Sequence, residues 1–571
     1  MKSSDVFRTL SAALSQRELS LADITLYALG TSCVALLGAY LYLWPYRAYT
    51  LPFKNLQGPE PDSWFFGSMR RIIKEPPLAP HQAWLETYGP TYRYRLFFGS
   101  WRFFTADPLA LSYILNHSDS FPKTGMARRE METILGRGVL IAEGEDHKRQ
   151  RKVLNPSFSL TAVRGMLPIF YDSAYELRDK LQGLIEDPNA MASPTPAKEE
   201  DKVEGGKKVD VMKYLGQATI DVIGKAGFDY DFQALKAPTN ELADAYRSLF
   251  STSMTITPMA ILQALFPVFK KLPTKRMRVA SEAIRTTKRI GMRLLEEKKQ
   301  AVRKAHSEGL EKGTDIGRDL LSILVKANMA SDLKPEQRMS DSEVLAQITT
   351  FMLAGNETSA TALSWICYVL SMHQDVQDRL REEVTSVSDD RPSFETLTQL
   401  PYMDKVIREV LRLYPPAPST VRQAEEATTL PLSKPVKGRD GKMIDHVNLP
   451  KGCVIFVPIM CINISTDVWG SDASTFNPDR YDNLPSSSNQ VPGVWGNLLT
   501  FLGGTRNCIG YRFALAEIKA ILFVLIRSMK FEELPSKPQF EKKAAIVMRS
   551  RVIGEEDAGY QLPLLVKLLS Q

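Results

Sequence analysis

Two short stretches of this chain hold residue types that can do chemistry. The first runs Phe501-Leu-Gly-Gly-Thr-Arg-Asn-Cys-Ile-Gly510, with one cysteine, Cys508, among Gly503, Gly504 and Gly510. The residues after it, Tyr511 to Ala520, read as a helix. A cysteine at a helix mouth meets unpaired backbone N–H groups and the positive end of the helix dipole, and both favour thiolate over thiol. Glycines around it allow unusual backbone angles and close approach of a bulky partner. No second cysteine lies nearby, so the set suits axial ligation of a haem iron better than zinc. A lone cysteine is nevertheless most often a small buried hydrophobe. The pattern has to carry the argument.

The second stretch is Ala354-Gly-Asn-Glu-Thr-Ser359, inside a helix opened by the capping box Ser340-Asp-Ser-Glu343. A mid-helix glycine costs about 1 kcal/mol relative to alanine. An acid beside a threonine, Glu357-Thr358, has no obvious packing purpose in an apolar helix. The plain alternative is a harmless kink.

The elements that must position these residues can be followed along the chain. At 571 residues, with 44% hydrophobic and 24% charged side chains, the protein is globular and holds a large core. A net charge of +7 suits an acidic partner or membrane surface without requiring nucleic acid. Cys33, Cys367, Cys453, Cys461 and Cys508 show no C-x-x-C spacing, and their odd number argues for a reducing compartment. After a polar segment, 1–23, residues Ile24–Trp44 carry no charge and make about 31 Å of helix, which reads as a retained membrane anchor. Arg8 and Arg17 on one side and Arg47 and Lys54 on the other leave its orientation tied. Pro45, Pro52, Pro59 and Pro61 predict a stiff, non-helical linker over 45–61.

Tyr92–Phe98 and Trp101–Thr105 read as a hairpin around a two-residue Gly99-Ser100 turn. Glu145–Phe158 carries Lys148, Arg149, Arg151 and Lys152, a charge run of the kind that usually forms a solvated helix face. Residues 191–208, rich in proline, glycine and charge, read as an exposed, mobile insertion. The region from Val209 to about Ala330 is helical in pattern, broken at Pro238, Pro258, Pro267 and Pro273. Its Met254–Phe269 connection is unusually apolar, which suits either a membrane-dipping substrate entrance or ordinary burial. Glu409 and Arg412 share a helix face, and the prolines of Leu413–Arg422 then turn the chain toward a sheet.

Phe-x-x-Gly-x-Arg-x-Cys-x-Gly resembles the haem-binding loop of the cytochrome P-450 family, the haem-thiolate monooxygenases. Phe501, Gly504, Arg506, Cys508 and Gly510 fill every fixed position. The resemblance implies a mainly α-helical fold with a smaller β region, haem b between them and one N-terminal transmembrane helix. The catalytic domain would span 62–571, with a proline-rich hinge before it. Cys508 would be the axial ligand, with Phe501, Arg506 and Gly510 binding the cofactor. Ala-Gly-x-Glu-Thr matches the family's helix over the oxygen-binding face, where the glycine leaves room for dioxygen and Glu357 and Thr358 relay protons. Arg151 matches a propionate-binding arginine, and His147 stands where the family has a tryptophan. Arg422 matches a further propionate contact. Glu409, Arg412 and Arg480 match a buried structural triad, although Asp479 and Tyr481 stand where Glu and Trp are common.

No Gly-x-Gly-x-x-Gly nucleotide loop or flavin domain is recognisable. The family therefore implies a separate NADPH–cytochrome reductase, with cytochrome b5 as a second candidate donor, and docking on the basic side chains near His147. The anchor, His147–Lys152 and Asp467-Val-Trp-Gly470 are similar to membrane-anchored fungal members. That suggests the endoplasmic reticulum with the catalytic domain in the cytosol, and a lipophilic substrate, such as a terpenoid, of secondary metabolism. Pocket walls are expected from Met126–Ala142, Phe351–Thr358 and Ala417–Val421. The rival readings are a haem-thiolate isomerase or dehydratase that never uses dioxygen, and a non-catalytic haem- or lipid-binding membrane protein.

Overall fold

The computed structural model describes residues 21–569, except 238–239, 255–273 (of which only Met259 and Gln263 are described), 308–318, 330–333 and 545. Residues 1–20 and nearly all of the apolar Met254–Phe269 connection thus lie outside the described residues. Helices dominate, and two cores form beneath them. The larger gathers apolar side chains from the helices around Leu363, Ile366 and Leu522. The smaller lies on the β side, around Tyr92, Phe103, Phe104 and Trp469.

Helix α1, Leu21–Leu41, is long and apolar enough to cross a membrane, and its candidate span Ala22–Leu41 buries nothing in the protein. The expected break at Pro45 does not occur. A π turn, Tyr42–Tyr46, carries Pro45, and one more α turn follows to Thr50. The wider turn absorbs the ring and the missing N–H that would break an ordinary helix. The helical run ends at Leu51, and turns over 52–55 follow.

Strands β1, Thr91–Arg95, and β2, Trp101–Thr105, pair antiparallel with Arg95 opposite Trp101. The loop between them is thus longer than the expected two-residue turn. Phe97 and Phe98 leave the ladder to pack edge-on against Phe66 and Phe65, at 5.3 and 4.7 Å between ring centroids. Phe98 adopts a left-handed φ of 52° to do so. Aromatic burial overrides the turn signal of Gly99-Ser100. Gly99 has its own reason: a side chain there would stand 2.2 Å from the Leu43 carbonyl oxygen, so the end of the N-terminal helical run rests on the loop.

Helices α2, Gly125–Leu135, and α3, Gly144–Leu154, lead to the long helix α4, Val211–Phe228. Residues 191–208 are not simply exposed. Asp201 accepts from both the backbone and the hydroxyl of Ser536 at 2.9 Å, Lys208 donates to Thr195 at 2.9 Å, and Gly206–Asp210 pairs with Pro563–Leu568.

Helix α5, Asp341–Met372, starts on the predicted capping box: Ser340 Oγ accepts from the Glu343 N–H at 3.3 Å, and Glu343 accepts from the Ser340 N–H at 2.8 Å. Burial works against an ionised Glu343, but Arg149, the Ser340 N–H and Gln150 outweigh it and hold the carboxyl at about 2. The α5 start is thus tied to α3.

Helix α6, Pro401–Leu413, carries Glu409 and Arg412, both fully buried. Glu409 takes Arg412 at 2.7 and 2.8 Å, Arg480 at 3.0 Å and the Asn477 N–H at 3.0 Å. Tyr481 donates its hydroxyl to Glu409 at 3.1 Å, and Asp479 pairs with Arg379 at 2.8 Å. The two departures from the family pattern therefore have partners of their own. Strands β3, Thr420–Gln423, and β4, Val454–Val457, complete a sheet of order β1-β2-β4-β3. Helix α7, Tyr511–Ser528, packs on α5, and β5, Phe540–Ala544, pairs with β6, Met548–Val552.

Candidate active site

Cys508 sits one turn before α7, with Gly510 at the helix N-cap. Its N–H donates to the Phe501 carbonyl at 2.8 Å, closing the loop on the first residue of the pattern. Phe501 is half-buried against Trp495 and Tyr511. The glycines answer to neighbouring backbone: a Cβ on Gly503 would stand 1.6 Å from the Pro492 oxygen, and on Gly504 2.2 Å from the Leu115 oxygen. Gly504 also has φ 65°. They seat the loop, so the close approach expected of a bulky partner is here the approach of the chain itself.

Cys367 and Cys453 are buried, and burial pushes both thiols up to about 12. Cys508 differs: it lies deep in the protein, yet its own surface is open. Burial raises its thiol as well, against the Gly510 N–H and Arg151, which lower it. A metal on sulfur deprotonates it outright.

Around the loop stand the expected basic residues. Arg151 on α3 donates to the Asn507 carbonyl at 2.8 Å and to its side-chain oxygen, which fixes the residue next to Cys508. Arg506 donates to the Ala142 carbonyl at 2.5 Å and pairs with Glu143, while its Nε is buried without a partner. Arg422, buried on β3, commits only Nη1, to Thr420 and the Val421 carbonyl at 2.9 and 2.8 Å. His147 is buried, and burial together with Arg506, Lys123 and Arg151 pushes it down to about 3. It is a neutral imidazole and retains one N–H to give.

The other cations of α3 are committed within the chain. Lys148 pairs with Glu145 and Asp119 at 2.8 and 3.0 Å, and Arg149 with Glu343 at 2.5 Å and Asp146 at 3.0 Å. Lys152 is the exposed remainder, so the basic docking face expected here is largely neutralised internally.

On α5, Ala354 is exposed although Phe351, Met352, Ser359 and Ala360 around it are buried. Thr358 Oγ1 donates back to the Ala354 carbonyl at 2.7 Å, one turn earlier. A Cβ on Gly355 would meet Ile223 of α4 at 3.0 Å, so the glycine makes room for helix packing. Glu357 pairs with Arg549 of β6, and Trp365 ties that strand to α5 through the Met548 carbonyl at 3.0 Å. Phe158 links the two halves, 3.5 Å from a Cβ built on Gly510 and edge-on to Phe351 at 5.2 Å.

Lys123, Glu143, Asn507 and Arg549 have no place in the sequence reading. Only Asn507 had a visible signal, lying inside the loop pattern.

These residues fit a planar iron porphyrin with two carboxylates. The fit rests on the open Cys508 sulfur, the orphaned Arg506 Nε, the uncommitted nitrogens of Arg422 and the open Ala354–Thr358 turn. Comparison with known proteins agrees. Residues 57–553 match the family model described as Cytochrome P450. Cytochrome P450 monooxygenase 128 of Postia placenta is 39% identical over 91% of this chain and 93% of that protein. Cytochrome P450 monooxygenase 205 of the same fungus is 38% identical over the same shares. Cytochrome P450 monooxygenase claP of Ampulloclitocybe clavipes is 35% identical over 91% of this chain and 94% of that protein. A family match over most of the length, with the thiol and its cations in place, leads to one conclusion: the chain belongs to the cytochrome P450 family of haem-thiolate monooxygenases.

Proposed function

We propose that this chain oxidises a C–H bond of a lipophilic small molecule, with Cys508 as the ligand of haem b. Electrons come from a separate NADPH–cytochrome reductase, with cytochrome b5 as a second donor. The observation that carries the reading is a deep cysteine with an open sulfur beside buried, incompletely paired arginines. When bound, the iron supplies dioxygen activation, and a thiolate ligand favours O–O cleavage. The chain's own residues do the rest. Arg422 and Arg506 hold carboxylates, His147 donates an N–H, and Arg151 steadies Asn507 beside the ligand. Phe501 and Gly510 close the loop.

Thr358 stands on the open turn and holds a proton at Oγ1, with Glu357 taking a proton from solvent and passing it on. Arg549 keeps the Glu357 carboxylate in place. The apolar helix α1 supports a membrane anchor, and we place it in the endoplasmic reticulum with the catalytic region in the cytosol. A membrane-bound site meets lipophilic compounds first, and terpenoids of secondary metabolism are the class to screen first.

Carbon monoxide difference spectra of the reduced chain test the ligand. The thiolate-specific band should appear in the wild type and vanish in Cys508→Ala; a band retained in that variant sinks the assignment. Product formation should require NADPH, reductase and oxygen, which an oxygen-independent isomerase would not. Thr358→Ala should lower product per oxygen consumed by ten-fold or more, on the scale of general acid–base catalysis, about 10²–10⁴. Unchanged coupling would remove Thr358 from the relay.

A further inference from the structure

The cations assigned to haem carboxylates do not stand alone. Arg506 and Lys123 close on one carboxylate of the chain itself. Arg506 pairs with Glu143 Oε2, Lys123 Nζ lies 3.6 Å from Oε1, and the Lys123 backbone N–H donates to that oxygen at 3.1 Å. Arg422 is near enough to feel both Glu143 and Arg506. All are withdrawn from water: the side chains of Lys123, Glu143 and Arg506 are 16, 14 and 5% exposed, and Arg422 is buried. Three cations around one carboxylate in such surroundings repel strongly. Lys123 registers the imbalance. Burial pushes it down to about 7, with Arg422 and Arg506 adding to the effect, although Glu143 pulls it up.

We propose that Glu143 is a resident counter-ion of the propionate cradle, which trims three cations to the charge of a doubly ionised porphyrin and stays in place when haem binds. This rests on the reading of Arg422 and Arg506 as propionate-binding residues. With Glu143 ionised and Lys123 charged, these three cations carry a surplus of two positive charges; Arg151 and Asp119, which also act on Arg506, do so with opposite signs, and two propionates balance the surplus. Each carboxylate that arrives also restores the charge of Lys123. Without the Glu143 charge the surplus is three, and the cluster pulls harder on the dianion and on an electron added to the iron. Removing the Lys123 charge does the reverse. A mere structural clamp on Arg506 would act otherwise, since loosening it speeds haem loss.

The full-length holoprotein in detergent tests this with Glu143→Gln, Lys123→Met and the double variant. The readouts are haem transfer to excess apomyoglobin and the iron midpoint potential. Glu143→Gln should slow transfer several-fold and raise the potential; Lys123→Met should do the opposite; the double variant should return both toward wild type. Glu143→Asp keeps the charge and should keep the potential, which separates lost charge from misfolding. Faster haem loss in Glu143→Gln, or an unmoved potential in both single variants, overturns the proposal. Arg422→Leu should speed transfer whatever Glu143 does. If it does not, the propionate assignment itself has failed.

Discussion

Burial decides the charge state of two histidines packed inside this protein. His81 is held between Phe104 and Phe456, its Nδ1 3.2 Å from the Tyr92 hydroxyl, and burial pushes it down to about 3. His147 in the site is pushed down to about 3 in the same way. A histidine neutral in the fold and basic when unfolded makes stability full above its unfolded value of about 6.5. Stability is then lost as pH falls from there toward 3. At pH 5 the loss from His81 is about 2 kcal/mol, from 1.36 kcal/mol per pH unit. Replacing His81 by Phe keeps the ring stack and should remove that part of the acid lability. Urea unfolding midpoints at pH 7 and pH 5 measure it, and an equal drop in variant and wild type would refute the account.

The same scale shows what a sequence reveals of a site. Cys508, Arg506 and Phe501 were legible because their spacing lies within one loop. Glu143 was not, because its partner Arg506 is 363 residues away and only the fold brings them together. The Arg549–Glu357 pair was hidden for the same reason.

Elements were legible where local chemistry and tertiary packing agree. The α5 capping box is such a place, since Ser340 and Glu343 satisfy each other whatever surrounds them. The α6 triad is another: Glu409 and Arg412 lie three residues apart on one helix, so only Arg480 had to be placed by the fold. Reading fails where packing overrules a local signal. Gly99-Ser100 is a good two-residue turn, but Phe97 and Phe98 gain more by packing on Phe66 and Phe65 than by staying in the ladder. Pro45 is a good helix breaker, but a π turn lets the anchor helix continue to Thr50. The polar composition of 191–208 hides Asp201 and Lys208, whose hydrogen bonds fasten the segment to the C-terminal region and to itself. Gly355 shows a contact no motif could reveal, since the neighbour its missing side chain admits is Ile223 of α4.

For the molecule as a whole, the question is how the catalytic region meets a membrane. Helix α1 is long and apolar enough to cross a membrane, and its end lies against the folded region. Tyr40 and Trp64 rings are 6.2 Å apart, and the Leu43 carbonyl presses on Gly99. Trp64 and Ile73 are each 61% exposed, while Arg70 covers the Phe66 ring at 4.4 Å. Exposed aromatics flanked by cations are what an interfacial surface presents. Burying the exposed part of these two side chains is worth about 2–4 kcal/mol, which with the nearby cations favours reversible membrane binding. A chain lacking residues 1–50 should therefore still float with vesicles containing anionic lipid. Trp64→Ser with Ile73→Ser in that shortened chain should reduce the bound fraction ten-fold or more, while leaving its carbon monoxide spectrum unchanged. If the shortened chain stays wholly in the soluble fraction with folded haem, the anchor acts as a tether alone and this face does not touch lipid.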